Sequence, residues 1–460
     1  MRTPQWRRNM TTLHRADSGR YHIETWGCQM NLHDSEKLAG ALERNGYVRA
    51  GSAEDADVIL LNTCSIREKA AEKVFSELGR LKQLKDGNPN LLLGVCGCVA
   101  QQEGEKIFGR APYVDFVLGP RATSTLDRVL ADHGKATLKP RVVDTEYRKD
   151  SIQFPYDAIR REGLTRSKAY VTVIEGCNHR CTYCIVPTTR GREICRPMSE
   201  VIAEVSMLAD QGVHEIEFLG QTVNAYRDAE GNTLAELLIA TARRTGIHRI
   251  RFTTSHPAQM TDRLMDAMGE ARPSLCRYLH LPVQSGSSDV LKQMKRGYDR
   301  ETYLEKIAAI RRRIPDMRFG TDIIVGFPGE TEAQFQETLS LMQTVPFDTV
   351  YSFTYSERPG TRALEFGDPV PLGEKMERLH RLQSMQNQIQ EQRNQDWVGT
   401  TQPVLIEGRS RRFSDRWTGR TEQHRVVNFT GAGQEGSIRP VEIQRATAFS
   451  LYGVAASGGA

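Results

Sequence analysis

The chain of 460 residues predicts an α/β protein in three parts: a doubly wound parallel-sheet domain, a partial (β/α)6 barrel and a small all-β barrel. Three observations carry this reading. Apolar runs of strand length alternate with amphipathic helical stretches from Tyr21 to about residue 355, the pattern of parallel sheets with right-handed crossovers. After about residue 398 this gives way to short alternating segments between glycine-rich turns, the mark of a small β-barrel. In both α/β parts cysteines follow directly on strands, where loops of a parallel sheet gather.

The expected divisions are a basic extension over 1–20, a first α/β domain over 21–140, a linker over 141–164, the barrel over 165–397 and the all-β domain over 398–460. The extension holds five arginines against one acid and has no apolar periodicity. It reads as a disordered arm, with a mitochondrial presequence as the alternative. The formal net charge of +5 is mild, so any nucleic-acid claim must rest on local clusters. No apolar run reaches transmembrane length, which predicts a soluble protein with no membrane partner. Nine cysteines without a secretory signal point to a reducing compartment, and the chain is read as cytoplasmic.

Order begins with a strand over Tyr21–Trp26, then Gly27-Cys28 and a helix from about Asp34 to Asn45. The unit repeats. A strand over Asp57–Asn62 leads to Thr63-Cys64 and a helix with Ala70, Val74 and Leu78 on one face. A strand over Leu91–Val95 leads to Cys96-Gly-Cys98, and a fourth strand fits Val114–Leu118. Cys28, Cys64 and Cys98, far apart in sequence, are thereby expected to converge at the carboxyl edge as a second metal site. The plain alternative is three ordinary buried cysteines. Cys96 competes with Cys98, because residues two apart point to the same side of a strand. The Gly-Cys setting shared with Cys28 favours Cys98.

Residues 141–164 mix charge, Pro155 and weak periodicity. A β-branched run from Tyr170 then ends at Gly176, and Cys177, Cys181 and Cys184 follow within eight residues. The CxxxCxxC spacing can hold three corners of a cubane iron–sulfur cluster and leave one iron open. A structural zinc loop or a set of buried thiols are the alternatives, but zinc wants a fourth ligand and only His179 lies inside the loop. Five further strands, beginning near residues 215, 249, 277, 319 and 349, complete six βα units. Polar residues after each strand fall where such barrels place their active-site loops. Gln221, Asn224, Ser255 and Gln284, with Tyr183 inside the cysteine loop, are the candidate cofactor contacts, although a polar residue there can simply cap the next helix. His256 and His280 read more simply as hydrogen-bonded structural histidines, and Cys195 and Cys276 as packing residues. From Pro371 to Trp397 a stripe of Met376, Leu379, Leu382, Met385 and Ile389 marks a core-facing helix.

Between Arg409 and Arg425 stand six arginines with Phe413 and Trp417 interleaved. Cations meet phosphates and planar groups stack on unpaired bases, so Arg409, Arg411, Arg412, Phe413, Arg416, Trp417, Arg420 and Arg425 form a candidate RNA surface. A solvated charged face is the alternative.

The loop Cys177-Asn-His-Arg-Cys181-Thr-Tyr183-Cys184 resembles that of the radical S-adenosylmethionine (SAM) enzymes. With Trp26-Gly-Cys28-Gln-Met-Asn31, Asn62-Thr-Cys64-Ser-Ile-Arg-Glu-Lys-Ala70 and Gly97-Cys98-Val-Ala-Gln101, the resemblance narrows to the radical SAM methylthiotransferases, over about residues 21–455. The wording after Cys64 is that of the branch acting on tRNA isopentenyladenosine. Gly419-Arg-Thr421 and Arg425–Phe429 resemble a TRAM domain, the RNA-binding barrel of that family. Cys195 stands where the family usually has Ser, and Gly220-Gln221 where many radical SAM enzymes carry Gly-Gly-Glu.

The resemblance implies a tRNA methylthiotransferase that adds sulfur and a methyl group at C2 of N6-isopentenyladenosine at position 37. It implies two 4Fe-4S clusters, on Cys177, Cys181 and Cys184 and on Cys28, Cys64 and Cys98, and two SAM per turnover. The implied partners are the tRNA anticodon arm, a low-potential electron donor of the flavodoxin or ferredoxin type and a sulfur or cluster carrier, with the enzyme itself a monomer. The competing readings are methylthiotransfer to another tRNA adenosine derivative or to a ribosomal protein, and a non-catalytic iron–sulfur RNA-binding protein.

Overall fold

The computed structural model describes residues 19–65, 70–132, 141–147, 167–272 and 274–456. Residues 1–18 of the expected extension, Ile66 to Lys69 of the Asn62–Ala70 motif and most of the expected linker, 148–164, lie outside the described residues. The chain forms two compact units that divide near residue 147.

The first unit is built on a six-stranded, all-parallel sheet in the order Val48–Arg49, Arg20–Trp26, Val58–Thr63, Leu92–Gly97, Phe116–Leu118, Val142–Asp144. Val58–Thr63 and Leu92–Gly97 are buried along their whole length, which is why their sequences are apolar rather than alternating. One face packs Ile59, Leu61 and Leu93 against Val74, Leu78 and Leu81 of the helix Ala70–Gly87. The other packs Val58 and Leu60 against Leu38 and Leu42 of the helix Gln29–Arg44 and Leu126 of Thr123–Asp132.

Three sequence expectations change here. Val142–Asp144, placed in the linker, is the sixth strand, and Val48–Arg49 is an unexpected edge strand. Both lie at the sheet's edges and lack the buried apolar run that marks the equally short Phe116–Leu118, and tertiary bonds such as Gly119 N to Asp144 O, 2.8 Å, hold this edge. The first helix starts at Gln29 rather than near Asp34, because Asn31 and His33 in its first turns are polar yet buried.

In the second unit, Lys168–Thr172, Glu215–Leu219 and Arg249–Phe252 pair in parallel, as do Tyr278–His280, Arg318–Val325 and Thr349–Thr354. A parallel bridge between Ile250 and Leu275 joins the two sheets, so six strands run on as the expected open barrel. Val171, Ile216, Phe218, Ile250, Phe319 and Ile323 form its core with residues of the surrounding helices such as Val205, Leu237 and Ile307. A hairpin of Ile174–Glu175 and Ile194–Cys195, too short to read from sequence, brackets the cysteine loop. The helix Leu372–Gln395 buries Leu382 and partly packs Leu379, Met385 and Ile389, whereas Met376 is exposed. Polar contacts do the rest: buried Arg378 pairs with Glu330 at 3.0 Å, and Asn394 donates to Thr447 O at 2.7 Å.

Thr401–Arg409, Trp417–Arg420, Val426–Thr430, Leu451–Ala455 and Ile438–Ala446 close into a barrel around Val404, Ile406, Val427, Phe429 and Val441. This barrel is docked on the (β/α) strands through buried charge. Arg249 donates to Pro403 O at 2.7 Å and Arg420 O at 3.1 Å, and Arg251 donates to Glu422 O at 2.7 Å and Thr421 O at 2.8 Å. Arg425 reaches across to Asp348 at 2.8 Å and is itself buried. Among the described residues no helix is long and apolar enough to cross a membrane.

Asp348 carries this docking: Arg425, Arg393 at 3.2 Å and Arg318 at 3.5 Å converge on one carboxylate that is 1% exposed. Asp348→Ala would leave three guanidinium groups without their anion, and it is expected to cost about 3 kcal/mol or more. Chemical denaturation followed through Trp397 and Trp417 fluorescence checks this; an unshifted midpoint would show that the carboxylate is not what joins the barrels.

Candidate active site

All nine cysteines are free thiols. Cys28 precedes the helix Gln29–Arg44, Cys64 follows Val58–Thr63, and Cys98 opens the helix Cys98–Glu103 directly after Leu92–Gly97. The parallel sheet brings these three positions to one edge. The Cys28 and Cys98 thiols lie against Cys64, and their hydrogen bonds, with burial, push its thiol far above the ordinary range. Close approach requires glycine at two positions. A Cβ on Gly27 would stand 2.8 Å from the Cys64 Cβ and 2.5 Å from Asn31 Oδ1. At Gly97, where φ is +86°, it would stand 2.3 Å from Asn62 Oδ1 and 2.8 Å from Thr63 O. The positive φ of Gly97 also swings Cys98 away from the strand direction of Cys96. Cys96 packs instead among Tyr21, Leu38, Val58 and Phe116, where burial pushes its thiol up to about 12. Asn31 and Asn62 form a buried clamp: Asn62 Nδ2 donates to Asn31 O at 2.8 Å, and Asn31 Oδ1 accepts from the Cys28 thiol at 3.3 Å.

The second trio lies on the loop after Ile174–Glu175. Gly176, at φ +83°, turns the chain where a side chain would collide with Arg192 O, and Cys177 N bonds Gly191 O at 3.1 Å. Thr182 fastens the loop to the far side of the barrel by donating from N to Met294 O, 3.1 Å, and from Oγ1 to Gln293 O, 3.0 Å. The Cys177, Cys181 and Cys184 thiols lie within electrostatic reach of one another. Burial raises Cys177, against the hydrogen bond of Thr222 Oγ1 at 3.3 Å, and burial with the neighbouring Cys181 pushes Cys184 up to about 12. Arg296, buried, lies with Nη1 3.3 Å from Cys181 Sγ and 3.5 Å from the Tyr183 hydroxyl. Among the described residues no three Cys, His, Asp or Glu side chains are gathered as ligands of a single metal ion. In a cubane cluster each thiolate binds a different iron, so its ligands do not converge on a single ion.

The predicted strand-end residues divide into braces and lining. Gln221 Oε1 accepts from Gly176 N and so holds the start of the cysteine loop. Asn224 locks the 256 loop reciprocally, donating to His256 O at 2.9 Å and accepting from His256 N at 2.8 Å. His256 stacks on His179 with centroids 3.9 Å apart, and burial, with Arg296 and His179 nearby, holds its imidazole down at about 2. Ser255 Oγ and His256 Nε2 are buried without a hydrogen-bond partner among the described residues. Buried polar atoms are nearly always satisfied, so these two orphans fit a site that takes a polar ligand. Gln284 is buried at φ +77°, a left-handed strand end that places its side chain against the usual preference. Sequence reasoning missed Arg296 and Thr222: no local pattern links residue 296 to Cys181, and only barrel closure brings them together.

On the terminal barrel, Arg409, Arg411 and Arg412 are exposed. The Arg409 guanidinium lies 3.9 Å over Trp417, and Arg416 lies 4.9 Å over Phe413 and 5.6 Å over Tyr452. Tyr452 and Arg445, 4.0 Å apart, extend the same kind of stack and were not foreseen. One predicted contact needs correction: Arg425 is buried on Asp348 and so committed within the fold. Arg420 is half-buried and pairs with Glu407 at 3.0 Å. Arginine counting could not separate Arg425 from its exposed neighbours, because that depends on which way each strand residue faces.

Residues 20–119 match the uncharacterized protein family UPF0004, residues 171–342 the radical SAM superfamily and residues 395–456 the TRAM domain. Among solved structures, the fold resembles the radical S-adenosylmethionine methyltransferase TsrM from Kitasatospora setae, with a TM-score of 0.55 and 14% identity over 75% of this chain and 74% of that one. The radical SAM match implies a 4Fe-4S cluster and SAM. Two relatives named tRNA-2-methylthio-N(6)-dimethylallyladenosine synthase are much nearer in sequence. That of Alkalilimnicola ehrlichii is 48% identical over 95% of this chain and 97% of its own length, and that of Bordetella bronchiseptica 47% identical over 95% and 92%. The site geometry, the three matched regions and these full-length relatives agree: the chain belongs to the tRNA-2-methylthio-N(6)-dimethylallyladenosine synthase family of radical SAM enzymes.

Proposed function

We propose that the enzyme inserts sulfur and a methyl group at C2 of N6-isopentenyladenosine, also called N6-dimethylallyladenosine, at position 37 of tRNA. The observation that carries this is a pair of separate thiol trios, each at the carboxyl end of parallel strands, in a chain 48% identical to a synthase of that name. One trio would suffice for a radical source. The other supports a second cluster devoted to sulfur, with two SAM used per turnover, one for the radical and one for the methyl group.

A cluster with SAM supplies the one-electron chemistry that the unactivated C2–H of adenine denies to acids and bases. The protein's own groups hold and shape that site. Cys177, Cys181 and Cys184 would be the ligands of the first cluster, and Cys28, Cys64 and Cys98 of the second. Arg296, buried with Nη1 3.3 Å from Cys181 Sγ, fixes the direction of that side chain. Gln221 and Thr182 hold the loop at its two ends, so the thiols need little reordering on binding. Ser255 Oγ and His256 Nε2 offer polar contacts to SAM, on a loop that Asn224 keeps in place. Tyr183 and Gln284 line the same region. Arg409, Arg411, Arg412, Phe413, Arg416 and Trp417 would hold the anticodon arm by cation–phosphate and stacking contacts. The chemistry also requires a low-potential electron donor, of the flavodoxin or ferredoxin type, and a sulfur or cluster carrier. We place the enzyme in the cytoplasm as a monomer.

Anaerobic reconstitution is expected to give about eight irons per chain and turnover on tRNA bearing N6-isopentenyladenosine. Cys64→Ala should reduce the count to about four while Cys96→Ala leaves it at about eight. Equal loss in both would contradict the assignment of Cys98 over Cys96, and no loss in Cys64→Ala would remove the second cluster.

Cys177→Ala should abolish formation of 5′-deoxyadenosine from SAM; retained cleavage would contradict the role of the central loop. For the RNA face, Trp417→Ala is expected to weaken tRNA binding by about 1–3 kcal/mol. Arg409→Ala should lower the slope of log affinity against log salt by roughly one phosphate contact. A slope unchanged in Arg409→Ala would place the RNA elsewhere.

A further inference from the structure

The inner face of the open barrel is spent differently in its two halves. On the first three strands it carries buried ion pairs, such as Arg251 with Glu215 at 2.7 Å and Lys168 with Glu217. The last three strands are different. Leu279, Phe319, Ile323 and Val325 lie in the core beneath the helices. Alternation along each strand therefore turns His280, Asp322, Ile324, Tyr351 and Phe353 to the interior. Strand register sets Asp322 beside Tyr351 and Ile324 beside Phe353. His280 Nε2 lies 2.9 Å from Asp322 Oδ1, and the Tyr351 ring meets the His280 ring edge-on at 5.9 Å. At the carboxyl end, Ile324 packs with Tyr183 against Val290, Met294 and Phe327, so this wall runs up to the loop of Cys181 and Cys184.

The fold makes little use of what this wall presents. Tyr351 is 48% exposed and Phe353 52% exposed, although each has the alternating position of an interior residue. Asp322 Oδ2 takes no hydrogen bond from any described residue, while Oδ1 is held by His280. An anchored carboxylate oxygen beside two uncovered aromatic rings, below the cysteine loop, is a built acceptor with an apolar platform.

We propose that this wall receives the target base: Tyr351 and Phe353 cover the ring and its N6-alkyl chain, and Asp322 Oδ2 accepts the hydrogen bond of N6–H. This rests on the functional reading above and names the part of the site that reads the base. The chemistry matches group by group. An N6-alkylated adenine keeps one N–H on N6, its ring nitrogens only accept, and an ionised carboxylate only accepts, so N6–H is the edge that Asp322 can take. The branched alkyl chain is apolar and gains from the phenyl and phenol faces. Chemistry on a base requires it out of its stack, where aromatic side chains replace its neighbours. Plain adenine would leave Phe353 uncovered, so selection for the prenylated nucleoside follows from the same contacts.

The test uses the full-length reconstituted enzyme with a synthetic anticodon stem-loop carrying either N6-dimethylallyladenosine or adenosine at the target position. The wild type is expected to bind the prenylated stem-loop more tightly and to convert it; no conversion would remove this inference together with the functional reading. With conversion established, Phe353→Ala should reduce the binding preference for the prenylated over the plain stem-loop by about ten-fold or more, and Phe353→Leu should restore much of it. Asp322→Asn, which keeps the size of the side chain, should raise KM for the stem-loop more than it lowers kcat. Iron content equal to wild type checks the fold of each variant. A preference unchanged in Phe353→Ala together with KM unchanged in Asp322→Asn would overturn the assignment while leaving the methylthiotransferase reading intact.

Discussion

Two parallel strands can pair only if the chain returns to the same end between them, so each strand of a parallel sheet hands its following loop to one edge. Both α/β parts of this chain depend on that constraint. In the first unit it brings together Cys28, Cys64 and Cys98, which come from three separate strand–helix units. In the second it lines the carboxyl end of the barrel with Gln221, Asn224, Ser255, His256 and Gln284 around the loop of Cys177, Cys181 and Cys184. Neither gathering needs a specific long-range attraction between the functional side chains. The pairing of apolar strands does the work, and the thiols come with it.

Pairing sets which edge a residue reaches, but close approach needs a second condition. Gly27 and Gly97 leave out the Cβ that would otherwise strike Asn31, Cys64 or Asn62, and Gly176 does the same against Arg192 O. Buried polar clamps then stiffen the loops: Asn31 with Asn62 on one site, Gln221, Asn224 and Arg296 on the other. Residues that look like ligand contacts by position thus serve partly to hold the ligand-bearing loops. Ser255 Oγ and His256 Nε2, by contrast, are buried without a hydrogen-bond partner among the described residues.

Buried charge has a different task in joining the terminal barrel to the strands. Asp348, Arg249, Arg251 and Arg425 exchange hydration for one another and for backbone carbonyls. Such a junction gains little net stability but is unforgiving of mismatch, which suits a joint that must hold an RNA-binding barrel in a defined place. The exposed arginines of that barrel, Arg409, Arg412 and Arg445, lie over Trp417, Phe413 and Tyr452.

Most of the architecture was legible in the sequence, because long buried strands and amphipathic helices write a period into the chain. The six barrel strands, the four buried strands of the first sheet and the closed terminal barrel follow from that period, and the cysteine spacing marked an iron–sulfur loop whose chemistry the resemblance to radical SAM enzymes then named. What escaped was short or non-local. Val48–Arg49, Val142–Asp144 and the Ile174–Cys195 hairpin are short and lack the fully buried apolar run that marked Phe116–Leu118, and their pairing is decided by neighbours. The choice of Cys98 over Cys96 as the neighbour of Cys64 was made by a glycine at positive φ, and the burial of Arg425 by the direction its strand faces on the assembled barrel. The sequence by itself therefore determined which elements form and, through its cysteine motifs, which family they resemble. Only the tertiary structure decided which side chains meet, because side-chain direction and contact across 115 residues, as between Arg296 and Cys181, exist only once the sheet has closed.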